Sequence, residues 1–149
     1  MNKKRSEFTL MKKLLLLLIA CATWACSSPP PPATPMTFAN YNSKANHQKQ
    51  ISLEGYLRLP TAALISDTML LDLIETPDSK SKPLPVSLRV GSSANQVEKP
   101  PKDYSDKDLK VHANDGTLIQ ANQKVRVSGK LIYSSTSSIL FAPVDIQKL

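Results

Sequence analysis

Lys124-Val125-Arg126-Val127-Ser128-Gly129-Lys130-Leu131 sets the fold class. Val125, Val127, Gly129, Leu131 and Tyr133 alternate with Arg126, Ser128, Lys130 and Ile132, the period of two expected of a strand with one face in a core. Ser134 to Ser138 then reads as a polar turn, and Ile139 to Leu149 returns as a strand broken at Pro143, so the last segments form a hairpin.

The same alternation recurs upstream. Ile51, Leu53, Gly55, Leu57 and Leu59 interleave with Ser52, Glu54, Tyr56 and Arg58, and Pro60 stops the run. Met69 to Ile74 is apolar enough on both faces for a central strand. Leu84, Val86, Leu88 and Val90 form a third, with Pro85 placing its start at an edge because proline has no N–H to give a ladder. Gly91 to Lys102 is a polar loop. Tyr104 to Val111 has Ser105 and Asp108 in capping-box spacing, which predicts one or two helical turns. Asn114-Asp115-Gly116 is a turn signal that instead allows a small hairpin between 110–113 and 117–120.

Three strands, a short helical connection and two more strands in about a hundred residues resemble the OB-fold, a mainly β, five-stranded Greek-key barrel with a helix between its third and fourth strands. Two segments carry the resemblance: Ile51-Ser52-Leu53-Glu54-Gly55-Tyr56-Leu57 and Lys124 to Leu131, each with a glycine inside a strand where a small barrel must bend. The alternation predicts a core of Leu53, Leu57, Leu71, Leu73, Val86, Leu88, Val125, Val127, Leu131, Ile139 and Ile146. The resemblance implies a binding face on the second and third strands, Met69 to Ile74 and Leu84 to Val90, bordered by Pro60 to Thr68 and Ser134 to Ser138. Tyr56, Arg58, Arg89 and Tyr133 are the ligand-binding candidates, set against the plainer expectation that the tyrosines pack at the barrel rim.

Ahead of this domain the composition changes twice. Lys3, Lys4, Arg5, Lys12 and Lys13 precede an apolar stretch from Leu14 to Ala25, too short to span a bilayer, which needs about 20 residues. Leu18-Ile19-Ala20-Cys21 resembles the lipobox of a bacterial lipoprotein signal peptide, implying cleavage before the cysteine and acylation of its thiol and new amino group. Cys26 is the alternative: Cys21 has the better preceding residues, and Cys26 is followed by Ser27-Ser28 and Pro29 to Pro32 as in a lipoprotein tether. Translation from Met1 or from Met11 fits the leader. The expected organisation is a signal over residues 1–20, or to 25, a Pro/Ser/Asn-rich tether over 21–49, and the barrel over 50–149. The tether is expected to be mostly disordered, with Phe38 and Tyr41 as the groups able to dock. Its address is the cell envelope, lipid-anchored, with the outer membrane facing the periplasm preferred because neither Ala22 nor Ser27 is the aspartate associated with inner-membrane retention.

Chemistry is scarce. Both cysteines lie at the leader, so the domain has no thiol for metal or redox work. His112 reads as a solvated turn histidine, and Glu54, Asp72 and Glu75 show no spacing that demands a carboxylate pair. Gly55, Gly91, Gly116 and Gly129 are too dispersed for a phosphate loop. No catalytic residue, metal site or cofactor is implied. The net charge of +7 falls to +3 once the leader's five basic groups and Glu7 are removed, and the remaining charges are interleaved, unlike a nucleic-acid stripe. The expected role is a lipid-anchored binding module for an envelope protein, glycan or other envelope component. Single-stranded nucleic-acid binding and hydrolysis at an unrecognised carboxylate site are the alternatives.

Overall fold

Five long strands account for most of the chain's order, and their alternation explains how they close. The structure, a computed structural model, describes residues 32–61 and 66–149; the leader, Cys21 and Cys26 lie outside the described residues. The strands are β1 (Thr34–Pro35), β2 (Gln50–Arg58), β3 (Thr68–Ile74), β4 (Leu84–Val90), β5 (Gln96–Val97), β6 (Val111–His112), β7 (Leu118–Ile119), β8 (Lys124–Ile132) and β9 (Ile139–Lys148). β2 pairs antiparallel with β8 from Gln50 to Tyr56 and, at its far end, with β3. β3 pairs antiparallel with β4, β4 meets β9 in parallel at Val86 and Leu140, and β9 returns antiparallel to β8. The circuit β2–β3–β4–β9–β8 is a closed five-stranded barrel of OB-like topology.

Closure buries the inward parity of every long strand. Ile51, Leu53, Leu57, Leu71, Leu73, Val86, Leu88, Val125, Val127, Leu131, Leu140 and Ile146 form one cluster, and each large apolar side chain taken from water contributes about 1.5–3 kcal/mol before conformational entropy is charged against it. Gly55 is required by packing: a Cβ there would sit 2.3 Å from the Ile74 carbonyl oxygen, where β3 crosses close over β2. Gly129 lies at the register shift between Ser128 and Lys130 that bends β8 against β9.

Several expectations need correction. The tether does not run to Lys49. Thr34 and Pro35 pair in parallel with Ile51 and Ser52, Tyr41 joins the barrel core, and Phe38 meets Tyr41 edge to face at 5.9 Å. The buried Asn46 amide donates to the carbonyls of Asn40 and Tyr41, and Gln48 N–H donates to Leu131 O at 2.7 Å. Residues 34–49 are therefore a strap on the barrel. Their order comes from backbone bonds to distant strands, which leave no periodic trace in sequence.

Ile139 is only half-buried and Leu140 takes the inward position, a one-residue slip that turns Phe141 outward. β3 is paired on both edges, but Leu70 is 46% exposed, so its even face is buried only at Ile74 while Met69, Leu71 and Leu73 enter the core. Pro143 interrupts the β8–β9 ladder without ending β9.

Between the third and fourth barrel strands, the helical connection shrinks to one 3₁₀ turn, Asp106–Asp108, with Ser105 N–H donating to Asp108 Oδ2 at 2.8 Å. The hairpin forms as well: β6 pairs with β7 around Asn114-Asp115-Gly116, where Gly116 has φ +83° and Thr117 N–H donates to Asp115 Oδ1.

Candidate groove at the β4–β9 seam

The seam with the shortest ladder among the described strands borders a concavity. β4 and β9 share one bridge, Val86 with Leu140, and then diverge because β9 is bulged. Residues 94–97 fill the gap. β5 adds in parallel to the end of β4, with Arg89 beside Gln96 and Val90 beside Val97. Asn95, at φ 58°, donates its backbone N–H to His112 O at 2.9 Å and accepts the Ile146 N–H on Oδ1 at 2.8 Å. One side chain thus performs the ladder's work at this point.

Outside that plug lies a groove of about 500 Å³ between Thr68, Ser87, Arg89, Gln96, Phe141 and Val144, adjoining a second concavity of about 660 Å³ at Ser66, Asp67 and Val90. Its chemistry is mixed. Phe141 is 49% exposed, an apolar platform on the wet side of the barrel, and Leu70 stands in register with Ser87 on the neighbouring strand. Thr68 and Ser87 supply hydroxyls. Arg89 is exposed and forms no ion pair among the described residues, so it is a guanidinium with its donors free for an acceptor.

The other proposed ligand residues do not converge here. Tyr56 and Arg58 lie on the outer face of β2 near its end. Arg58 is engaged with Asp72, Nε to Oδ2 at 3.8 Å. Burial pushes the Asp72 carboxyl up from the ordinary aspartate range, and the Arg58 charge only partly opposes this. Tyr133 is at the opposite end of the barrel, its N–H donating to His47 Nδ1 at 3.1 Å. Of the four, Arg89 alone lines the groove. Ser87 and Thr68 fall within the segments expected to form and border the binding face, whereas Phe141 and Gln96 lie outside them. The signal was present in Ile139-Leu140-Phe141: placing Leu140 inside forces Phe141 out.

His112 corrects another expectation. It sits on β6, not in a solvated turn, and its Nε2 is 3.0 Å from Glu98 Oε1, with Lys110 Nζ 3.6 Å from the other carboxylate oxygen. The His112 hydrogen bond, aided by Lys110, holds Glu98 below the usual glutamate range. On the opposite side, hydrogen bonds from Arg126 at 2.6 Å and Lys124 at 3.0 Å do the same for Glu54. Among the described residues, no group of three His, Cys, Asp or Glu side chains is placed to hold a metal ion.

The chain matches no family model, and no curated protein or solved structure is significantly similar to it.

Proposed function

We propose that this protein is a lipid-anchored module of the bacterial cell envelope, acylated at Cys21 or Cys26 and facing the periplasm from the outer membrane, that binds an envelope protein or glycan in the groove beside β4. The observation that carries the reading is the free Arg89 guanidinium facing a groove walled by the exposed Phe141 ring. Concave sites with an apolar wall and a few placed polar groups are where ligands gain both area and orientation. The groove borders the outer face of the barrel's third strand, β4, one of the two strands whose face binds ligands in proteins of OB-like fold, and extends from it across the seam to β9.

Pulldown from detergent-solubilised native envelope with the full chain tests this. The wild type is expected to retain a defined protein or glycan that the Arg89→Ala and Phe141→Ala variants lose. Equal retention by all three would refute the groove. Mass spectrometry of the mature amino terminus tests the anchor: an acylated cysteine supports it, and an intact leader on a soluble chain contradicts it.

One feature favours a second reading. An exposed aromatic beside an unpaired arginine is the combination that stacks a base and holds a phosphate in single-strand binders. Salt-sensitive oligonucleotide binding that needs both residues would establish that alternative.

A further inference from the structure

The strap gives the barrel a polarity. Thr34 runs parallel with Ile51, so β1 begins at the end of the barrel at which β2 begins. That end also holds the strap at 37–49, the β3–β4 loop at 75–83 and the β8–β9 loop at 133–138. Lys82 Nζ donates to the Thr136 carbonyl and Ser138 Oγ donates to Asn42 Oδ1 at 2.7 Å, tying the three together.

The charges divide between the two ends. The tether's end carries Lys44, Lys49, Lys80, Lys82 and Lys130, the last opposite Gln50 in the first rung of β2, against Glu75 and Asp78 alone. Asp145 stands opposite Ser128, two residues along β8 from Lys130. The rest of the domain has nine basic and nine acidic side chains and balances. The whole surplus of +3 left after the leader is removed thus sits where the tether joins. None of these five lysines forms an ion pair among the described residues.

We infer that this basic end is a docking surface for an anionic phospholipid bilayer, seating the barrel on the membrane with its β4–β9 groove to one side. The inference rests on the anchored reading above. With residues 34–49 folded onto the barrel, 13 residues lead from Cys21 to Thr34 and 8 from Cys26, a reach of at most about 45 Å or about 28 Å for any conformation of the chain. The strap therefore removes more than half of the slack that a tether running to Lys49 would have. Basic groups held that close to an anionic surface are attracted within a Debye length of about 8–10 Å. The tether supplies the proximity and the lysines supply the orientation.

The test uses the full mature chain purified from envelope, its acylation read by intact mass. The chain is reconstituted on vesicles of pure phosphatidylcholine or with added phosphatidylglycerol, and lysine methylation rates are read by mass spectrometry. On anionic vesicles Lys44, Lys49 and Lys130 should label at least about threefold more slowly than on neutral ones, and this protection should vanish in about 1 M salt, where the Debye length is near 3 Å. Lys99 and Lys107 should not change and report that the fold is intact. The variant K44Q/K49Q/K130Q should lose the residual protection of Lys80 and Lys82. If the chain is acylated and labelling is the same on both vesicles, the inference fails while the groove reading stands. If the chain is not acylated, the anchored reading fails. The same labelling then decides the surface alone: salt-sensitive protection supports it, and none overturns it.

Discussion

The β2–β8 seam and the β4–β9 seam close the same barrel by different means. The first is a continuous ladder from Gln50–Lys130 to Tyr56–Lys124, with Glu54 bridging Arg126 and Lys124 on its outer face. The second is one bridge at Val86–Leu140, completed by the Asn95 side chain on the Ile146 amide. The difference teaches where a small closed sheet has room for a ligand. A full ladder leaves a flat outer face of paired charges, whereas a seam held at one point and plugged from outside leaves a concavity with an aromatic wall.

Four substitutions sharpen or break this contrast. The largest effect is expected for Leu140→Ala, which removes a fully buried side chain at the single bridge; it should cost about 2–5 kcal/mol in denaturant unfolding, and a loss below about 1 kcal/mol would show that the seam does not depend on it. Asn95→Ala comes next, at about 1–3 kcal/mol, because the Ile146 amide is left without its acceptor. Hydrogen exchange at that amide should accelerate. Retained protection there would mean that the plug is not what closes the seam.

Smaller effects separate the two outer faces by sign. Because the Asp72 pKa is raised in the folded barrel, its ionised form is disfavoured there at neutral pH, and the wild type recovers stability as pH falls into the ordinary aspartate range. Asp72→Asn should therefore match or exceed the wild type near pH 7, with the advantage shrinking on acidification. Glu54 behaves oppositely. Its lowered pKa gives stability that is present above the ordinary glutamate value of about 4.3 and lost as pH falls through the folded value. Glu54→Gln should flatten that part of the acid profile, the smallest effect of the four since the carboxylate is well solvated. Parallel pH profiles for both variants and the wild type would break the assignment.

The strands were legible because a half-buried strand writes its burial into every second residue, as Val125, Val127 and Leu131 do. The glycine expected to permit bending at residue 55 does so against the Ile74 carbonyl. What stayed hidden has a common cause. The strap is ordered by partners up to 96 residues away in sequence, such as Leu131 O for Gln48 N–H and Ser138 for Asn42. The groove depends on which of two adjacent apolar residues, Ile139 or Leu140, faces inward. Periodicity alone leaves such a step undetermined in a run apolar on both faces, and the choice moved Phe141 from unnoticed to central. The exposure of Arg89 is legible because it follows from the clean alternation of Val86, Ser87 and Leu88.

The central claim is that the open seam, not the laddered one, is the binding surface. A ¹⁵N-resolved titration of the domain with solubilised envelope protein and glycan fractions tests it most directly. The account expects shifts confined to Thr68, Ser87 to Arg89, Ala94 to Gln96 and Phe141, abolished by Arg89→Ala while that variant's stability stays within about 0.5 kcal/mol of wild type. Shifts gathered on Glu54, Lys124 and Arg126, or no perturbation of the β4–β9 groove by any fraction, would contradict it.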